Sequence, residues 1–148
     1  MENRNIAIKR SLAKLYYSFE ESLRDAFVSA MSGPNTGRVK ALPVYFQSRA
    51  EQLRKRYFIL INDFVLLADK DSGYEELERF SRLLKVYIDE DITMMQRNAK
   101  RFAIRIHTRH RSGGQSLEMA ITREQLKVLN ESREYRLDTL GKITKRLV

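Results

Sequence analysis

The chain has 148 residues, 43% of them apolar, with two prolines, six glycines and no cysteine: enough material for one core over residues 1–148, and no basis for a disulfide framework, a thiolate metal site or a thiol nucleophile. Lys and Arg outnumber Asp and Glu by 28 to 19, a formal charge of +9, and such a balance draws polyanions, nucleic acid or an anionic membrane surface. The most apolar stretch, Tyr57 to Ala68, already contains Asn62 and Asp63, short of the roughly twenty apolar residues a spanning helix needs, and the first thirty residues hold no signal-peptide core; the expectation is a soluble, cytoplasmic protein with no membrane partner.

From Asn5 to Met31, apolar residues recur at Ile8, Leu12, Leu15, Phe19, Leu23, Phe27 and Ala30. Spacings of three and four predict one buried helical face. The segment Ser32-Gly33-Pro34-Asn35-Thr36-Gly37 stops this helix and opens a loop that runs to Leu42. Pro43 suits the first turn of a second helix, where its missing N–H costs nothing. Phe46, Ala50, Leu53, Tyr57, Leu60, Phe64 and Leu67 carry that helix to about Ala68. Because Phe58 to Leu67 is apolar on nearly every side, the second helix is expected at the centre of the fold. Asp69-Lys70-Asp71-Ser72-Gly73 breaks the chain, and Ser72 with Glu75 has the spacing of a capping box.

The third helix shows Leu77, Phe80, Leu84, Tyr87, Ile88, Met95, Ala99, Phe102 and Ile106. This frame predicts more than thirty residues, with Asp89-Glu90-Asp91 as the place for a kink. After Arg111-Ser112-Gly113-Gly114-Gln115-Ser116, a fourth helix beginning at Ser116 or Thr122 carries Leu126, Leu129, Leu137, Leu140, Ile143 and Leu147 on its expected apolar side. No period-two run has strand length. The fold class predicted is all-α, a compact bundle of four main helices connected up-and-down.

Charge along the chain is sorted. Arg97, Lys100, Arg101, Arg105, Arg109 and Arg111 fall within fifteen residues and no acid interrupts them, whereas Asp69 to Asp91 holds eight acids and four bases. At about 100° per residue, Arg97, Lys100, Arg101 and Arg105 share one sector opposite Met95, Ala99, Phe102 and Ile106. Cations at one-turn spacing form a track for a phosphate backbone, gripped without reading bases. A charged outer face is also an ordinary solvated surface, and bases near a helix end complement its dipole; that effect acts in the last turn, whereas this stripe spans about four turns. Arg49, Arg54, Lys55 and Arg56 on the second helix, Arg38 and Lys40 in the long loop, and Lys9, Arg10 and Lys14 on the first helix add further basic groups. Tyr16, Tyr17, Tyr45 and Tyr57 would offer stacking surfaces to unpaired bases, unless they are core residues.

Little here suggests chemistry. The two histidines, His107 and His110, have no nearby acid to complete a metal set, so no catalytic residue, metal or cofactor is expected. Arg105 with His110 and Arg101 with His107 nevertheless resemble the Arg–His pairing of small helical RNases of the HEPN family, which would imply acid–base cleavage by a histidine beside a charge-stabilising arginine. Ile106 and Phe102 stand where that family commonly has a polar residue. In size, helicity and charge sorting, the whole chain resembles the small helical subunits of Cascade-type CRISPR–Cas effector complexes. That resemblance implies a non-catalytic subunit of a larger ribonucleoprotein, with Arg97, Lys100, Arg101, Arg105, Arg54 and Lys55 on nucleic-acid backbone and the acidic segment Asp69 to Asp91 towards protein partners. The alternative is a helical assembly or adaptor protein of phage or secretion type.

Overall fold

A computed structural model of the chain describes residues 4–32, 41–70, 73–111 and 117–147, the side chains of residues 107–111 and 117–118 excepted. Four helices account for nearly all of it: α1 (Arg4–Met31), α2 (Leu42–Leu66), α3 (Tyr74–Arg111) and α4 (Leu117–Leu147), with no strand among the described residues. Pro43 lies in the first turn of α2. Gly73 sits at φ +73° just before α3, a conformation that favours glycine, and its carbonyl accepts the Leu77 N–H at 3.0 Å to start the helix. Ser72, and with it the expected capping box, lies outside the described residues. α3 runs unbroken through Asp89-Glu90-Asp91.

Cross-helix pairs fix the directions. Asn5 meets Asp69 and Ser29 meets Arg49, so α2 returns antiparallel to α1. Asn62 meets Lys85 and Arg54 meets Asp89, so α3 reverses again. Glu90 meets Tyr135 and Arg105 meets Glu124, so α4 reverses once more. α1 and α3 therefore run parallel, joined by Lys9–Glu76 and Tyr16–Asp91. The result is the up-and-down bundle that the sequence predicts.

The inner pair is α1 with α3, since each of them packs on all three other helices, whereas α2 packs on α1 and α3 and α4 does the same from the other side. Phe27 stands edge-on to both Phe46 (5.6 Å) and Phe102 (5.8 Å), a favoured aromatic geometry that ties α1, α2 and α3 together at one end. The central placing of α2 is thus corrected: Ile59, Leu66 and Leu67 are exposed, Leu66 by 82%. A helix apolar on all sides does not say which side its neighbours take, and the two longer-range amphipathic frames take the middle.

The apolar side of α4 is also corrected. Leu126 and Leu137 point outward, while the inward positions are Ala120, Ile121, Val128 and Ile143 together with the polar Glu124, Ser132 and Thr139. The two hydroxyls can be buried because each donates to a carbonyl of its own helix, Ser132 to Leu129 (3.0 Å) and Thr139 to Tyr135 (3.1 Å). Glu124 is 1% exposed and is answered by Arg105 at 3.4 Å.

Candidate nucleic-acid interface

On α3 the buried positions Met95, Asn98, Ala99, Phe102, Ala103 and Ile106 face the bundle. The opposite sector carries Arg97, Lys100 and Arg101, all exposed, around an exposed Ile104. None of the three cations makes an ion pair or hydrogen bond with a described residue. Helical spacing alone puts them on one strip about a turn and a half long. Three positive charges that no described acid pairs with leave a local positive field, which in general attracts polyanions.

Arg105 departs from the expected outward track. Its side chain is about one third exposed and turns to the buried Glu124 of α4, with Nη1 3.4 Å from Oε2. Burying a carboxylate without a partner is costly, so this guanidinium holds α3 to α4 and is not free for phosphate. The track shortens to Arg97, Lys100 and Arg101. Arg109 and Arg111, with His107 and His110, have side chains outside the described residues, and Arg38 and Lys40 lie outside them entirely.

The α2 group divides in the same way. Arg54 is half-buried, donates to Glu51 at 3.1 Å, lies 3.9 Å from Asp89 and covers the Phe58 ring; it is a structural residue, contrary to the expectation of a backbone contact. Lys55 is exposed. Arg49 is exposed and donates to the Ser29 hydroxyl at 2.9 Å. With Arg56 it lines an open groove of about 510 Å³ between α1 and α2, opposite Ser22 and Asp25. Because Phe27 touches both Phe46 and Phe102, Arg49 and the α3 track lie at the same end of the bundle. Lys9, expected in a surface group, is instead buried, donating to Glu76 at 3.0 Å over the Phe80 ring. Of the four tyrosines that could serve as stacking surfaces, Tyr16 and Tyr57 are core and Tyr17 is half-buried; Tyr45 is exposed.

Sequence reasoning missed a polar cluster inside the bundle. Tyr16 of α1 donates to Asp91 of α3, whose second carboxylate oxygen is buried without a partner, and Glu20 lies 3.6 Å from Arg136 of α4. Burial chiefly, with the neighbouring Asp91 charge, pushes the Glu20 carboxyl up to about 8 against the pull of Arg136 and Arg24. Burial likewise pushes Asp91 up to about 7, opposed by the Tyr16 hydrogen bond and helped by Glu90. Burial and Asp91 push the Tyr16 hydroxyl far above its ordinary range. Beside them is a cavity of about 20 Å³, room for one water. A signal is present in the sequence: Asp91 and Glu20 occupy the apolar frame, Asp91 between Ile88 and Met95 and Glu20 between Tyr16 and Leu23. Counted instead within the acidic segment Asp69 to Asp91, Asp91 looks like a surface charge for a partner; it is 2% exposed.

Among the described residues no group of acids and histidines is arranged to hold a metal ion, and no helix is long and apolar enough to cross a membrane. Comparison of the chain with protein-family models, with curated proteins and with solved structures found no match.

Proposed function

We propose that this protein is a non-catalytic subunit that grips a nucleic-acid backbone, without base readout, through the outer face of α3. The observation that carries the reading is the strip of Arg97, Lys100 and Arg101, exposed and without an ion-pair partner among the described residues on a chain of net charge +9. Elsewhere, several of the arginines bind acids of the same chain, as Arg54, Arg79, Arg82 and Arg105 do; Arg97, Lys100 and Arg101 pair with none of the described acids. Arg49 at the same end of the bundle extends the surface towards the α1–α2 groove. The likeness in size, helicity and charge sorting to small Cascade-type subunits makes a multi-subunit ribonucleoprotein the setting we propose for it.

The test is the salt dependence of binding to a labelled oligonucleotide. Removing one cation that touches a phosphate flattens the slope of log affinity against log salt by roughly 0.7 to 0.9, so Arg97→Ala, Lys100→Ala and Arg101→Ala together should lower it by about 2 to 3. The triple Lys142→Ala, Lys145→Ala and Arg146→Ala removes the same charge from exposed positions of α4 and should lower it less. Equal effects would reduce the track to bulk charge, and no binding by the wild-type chain would leave the adaptor reading in its place. Cleavage of an RNA probe, abolished by His107→Ala or His110→Ala, would replace a binding role by the RNase one.

A further inference from the structure

The outward face of α4 carries an exposed apolar line. Met119, Leu126 and Leu137 are each more than half exposed, and at 100° per residue they fall within about 20° of a single line along the helix. Between the two leucines the line continues through Asn130 and Arg133, both exposed. Beyond Leu137 it passes Gly141, where an added side-chain carbon would meet nothing within 4 Å. One flank of this line carries a basic block, Arg123 and Lys127, towards the helix start and an acidic block, Glu134 and Asp138, further along, with Lys145 following on the same flank in the last turn. Arg123, Lys127 and Glu134 pair with no described residue, and Asp138 has only an exposed contact to Lys142 at 3.2 Å.

We infer that this face binds a second copy of the same chain, α4 packing antiparallel on α4 of the partner. In an antiparallel pair each flank meets its own counterpart running the other way, so the basic block of one copy lies along the acidic block of the other. Setting Leu126 opposite the partner's Leu137 gives a self-consistent register. It repeats itself by symmetry at Leu137, as a two-fold interface requires. It brings Arg123 and Lys127 to within one turn of the partner's Glu134 and Asp138. It also sets Asn130 against the partner's Arg133, a polar pair of the kind that fixes register and orientation in helix pairs. A parallel pair has no such match. The inference does not depend on nucleic-acid binding: the α4 face is separate from the track on α3.

Charge reversal tests it without touching the core. In sedimentation equilibrium the wild-type chain should dimerise. Arg123→Glu with Lys127→Glu makes the flank acidic from residue 123 to 138, and Glu134→Lys with Asp138→Lys makes that stretch basic; each variant alone should associate at least about tenfold more weakly. An equimolar mixture of the two should dimerise again, as a heterodimer at least as tight as wild type. Since the chain has no cysteine, Asn130→Cys with Arg133→Cys should form a disulfide between position 130 of one copy and 133 of the other. A wild-type chain monomeric up to about millimolar concentration overturns the inference. So does dimerisation indifferent to both reversals, which would move the interface to another surface such as the exposed Ile59–Leu66 line of α2, and so does a mixture that stays monomeric. A 130-to-130 crosslink would overturn the antiparallel register.

Discussion

Arg105 and Arg101 are four residues apart on one helix and look interchangeable in the sequence, yet the fold gives them different work. Truncating Arg105 removes the guanidinium that lies 3.4 Å from the Glu124 carboxylate, a group 1% exposed. Breaking a buried pair costs several kcal/mol, and with the arginine one third in water about 1–3 kcal/mol is expected for Arg105→Ala. Arg101→Ala should leave the melting temperature unchanged. Thermal melts of the two variants check this, and equal stabilities would mean that Glu124 is satisfied without the guanidinium. Asp91 gives a second prediction. Its pKa is raised from the ordinary carboxylate range to about 7, so the folded state holds this proton more tightly than the unfolded one does. The stability it lends is complete below about pH 4 and is lost as pH rises through about 7. Asp91→Asn, which keeps an acceptor for Tyr16, removes that loss. Relative to wild type it should gain on the order of 2–4 kcal/mol between pH 5 and pH 9, read from melts across that range; a flat difference would mean that Asp91 titrates alike in both states.

At the scale of the element, α1 and α3 were legible and α2 and α4 only partly so. In α1 the residues at Ile8, Leu12, Phe19, Leu23 and Phe27 are all buried, because a clean apolar stripe has only one way to face a core. In α2 the apolar residues surround the helix, and α4 offers leucines on two sides. Burial there was decided by whichever neighbour arrived. Ile61 is fully buried and Leu66 is 82% exposed, so Ile61→Ala should cost about 2–5 kcal/mol while Leu66→Ala stays within about 0.5 kcal/mol. Denaturant titration of the two variants would check both, and similar losses would mean that the end of α2 is covered in solution.

At the scale of the whole molecule, the four helices share one continuous core in which α1 and α3 touch every other element. Calorimetry should therefore show a single thermal transition with equal calorimetric and van't Hoff enthalpies; two transitions would divide the chain into independent units. The sequence by itself determined the helical class, the number of helices, their approximate ends and the crowding of positive charge near the end of α3. Periodicity, glycine and proline act locally, within a turn or a loop, and so are written in the order of residues. Which helices lie inside, which leucines of α4 face outward, and which cations pair with acids of the described residues were decided only by tertiary structure. Those properties depend on residues far apart in the chain, as Arg105 depends on Glu124, Lys9 on Glu76 and Tyr16 on Asp91. A side chain's type is fixed by the sequence, but whether it is ionised, and whether its charge is paired within the fold, depends on what packs beside it.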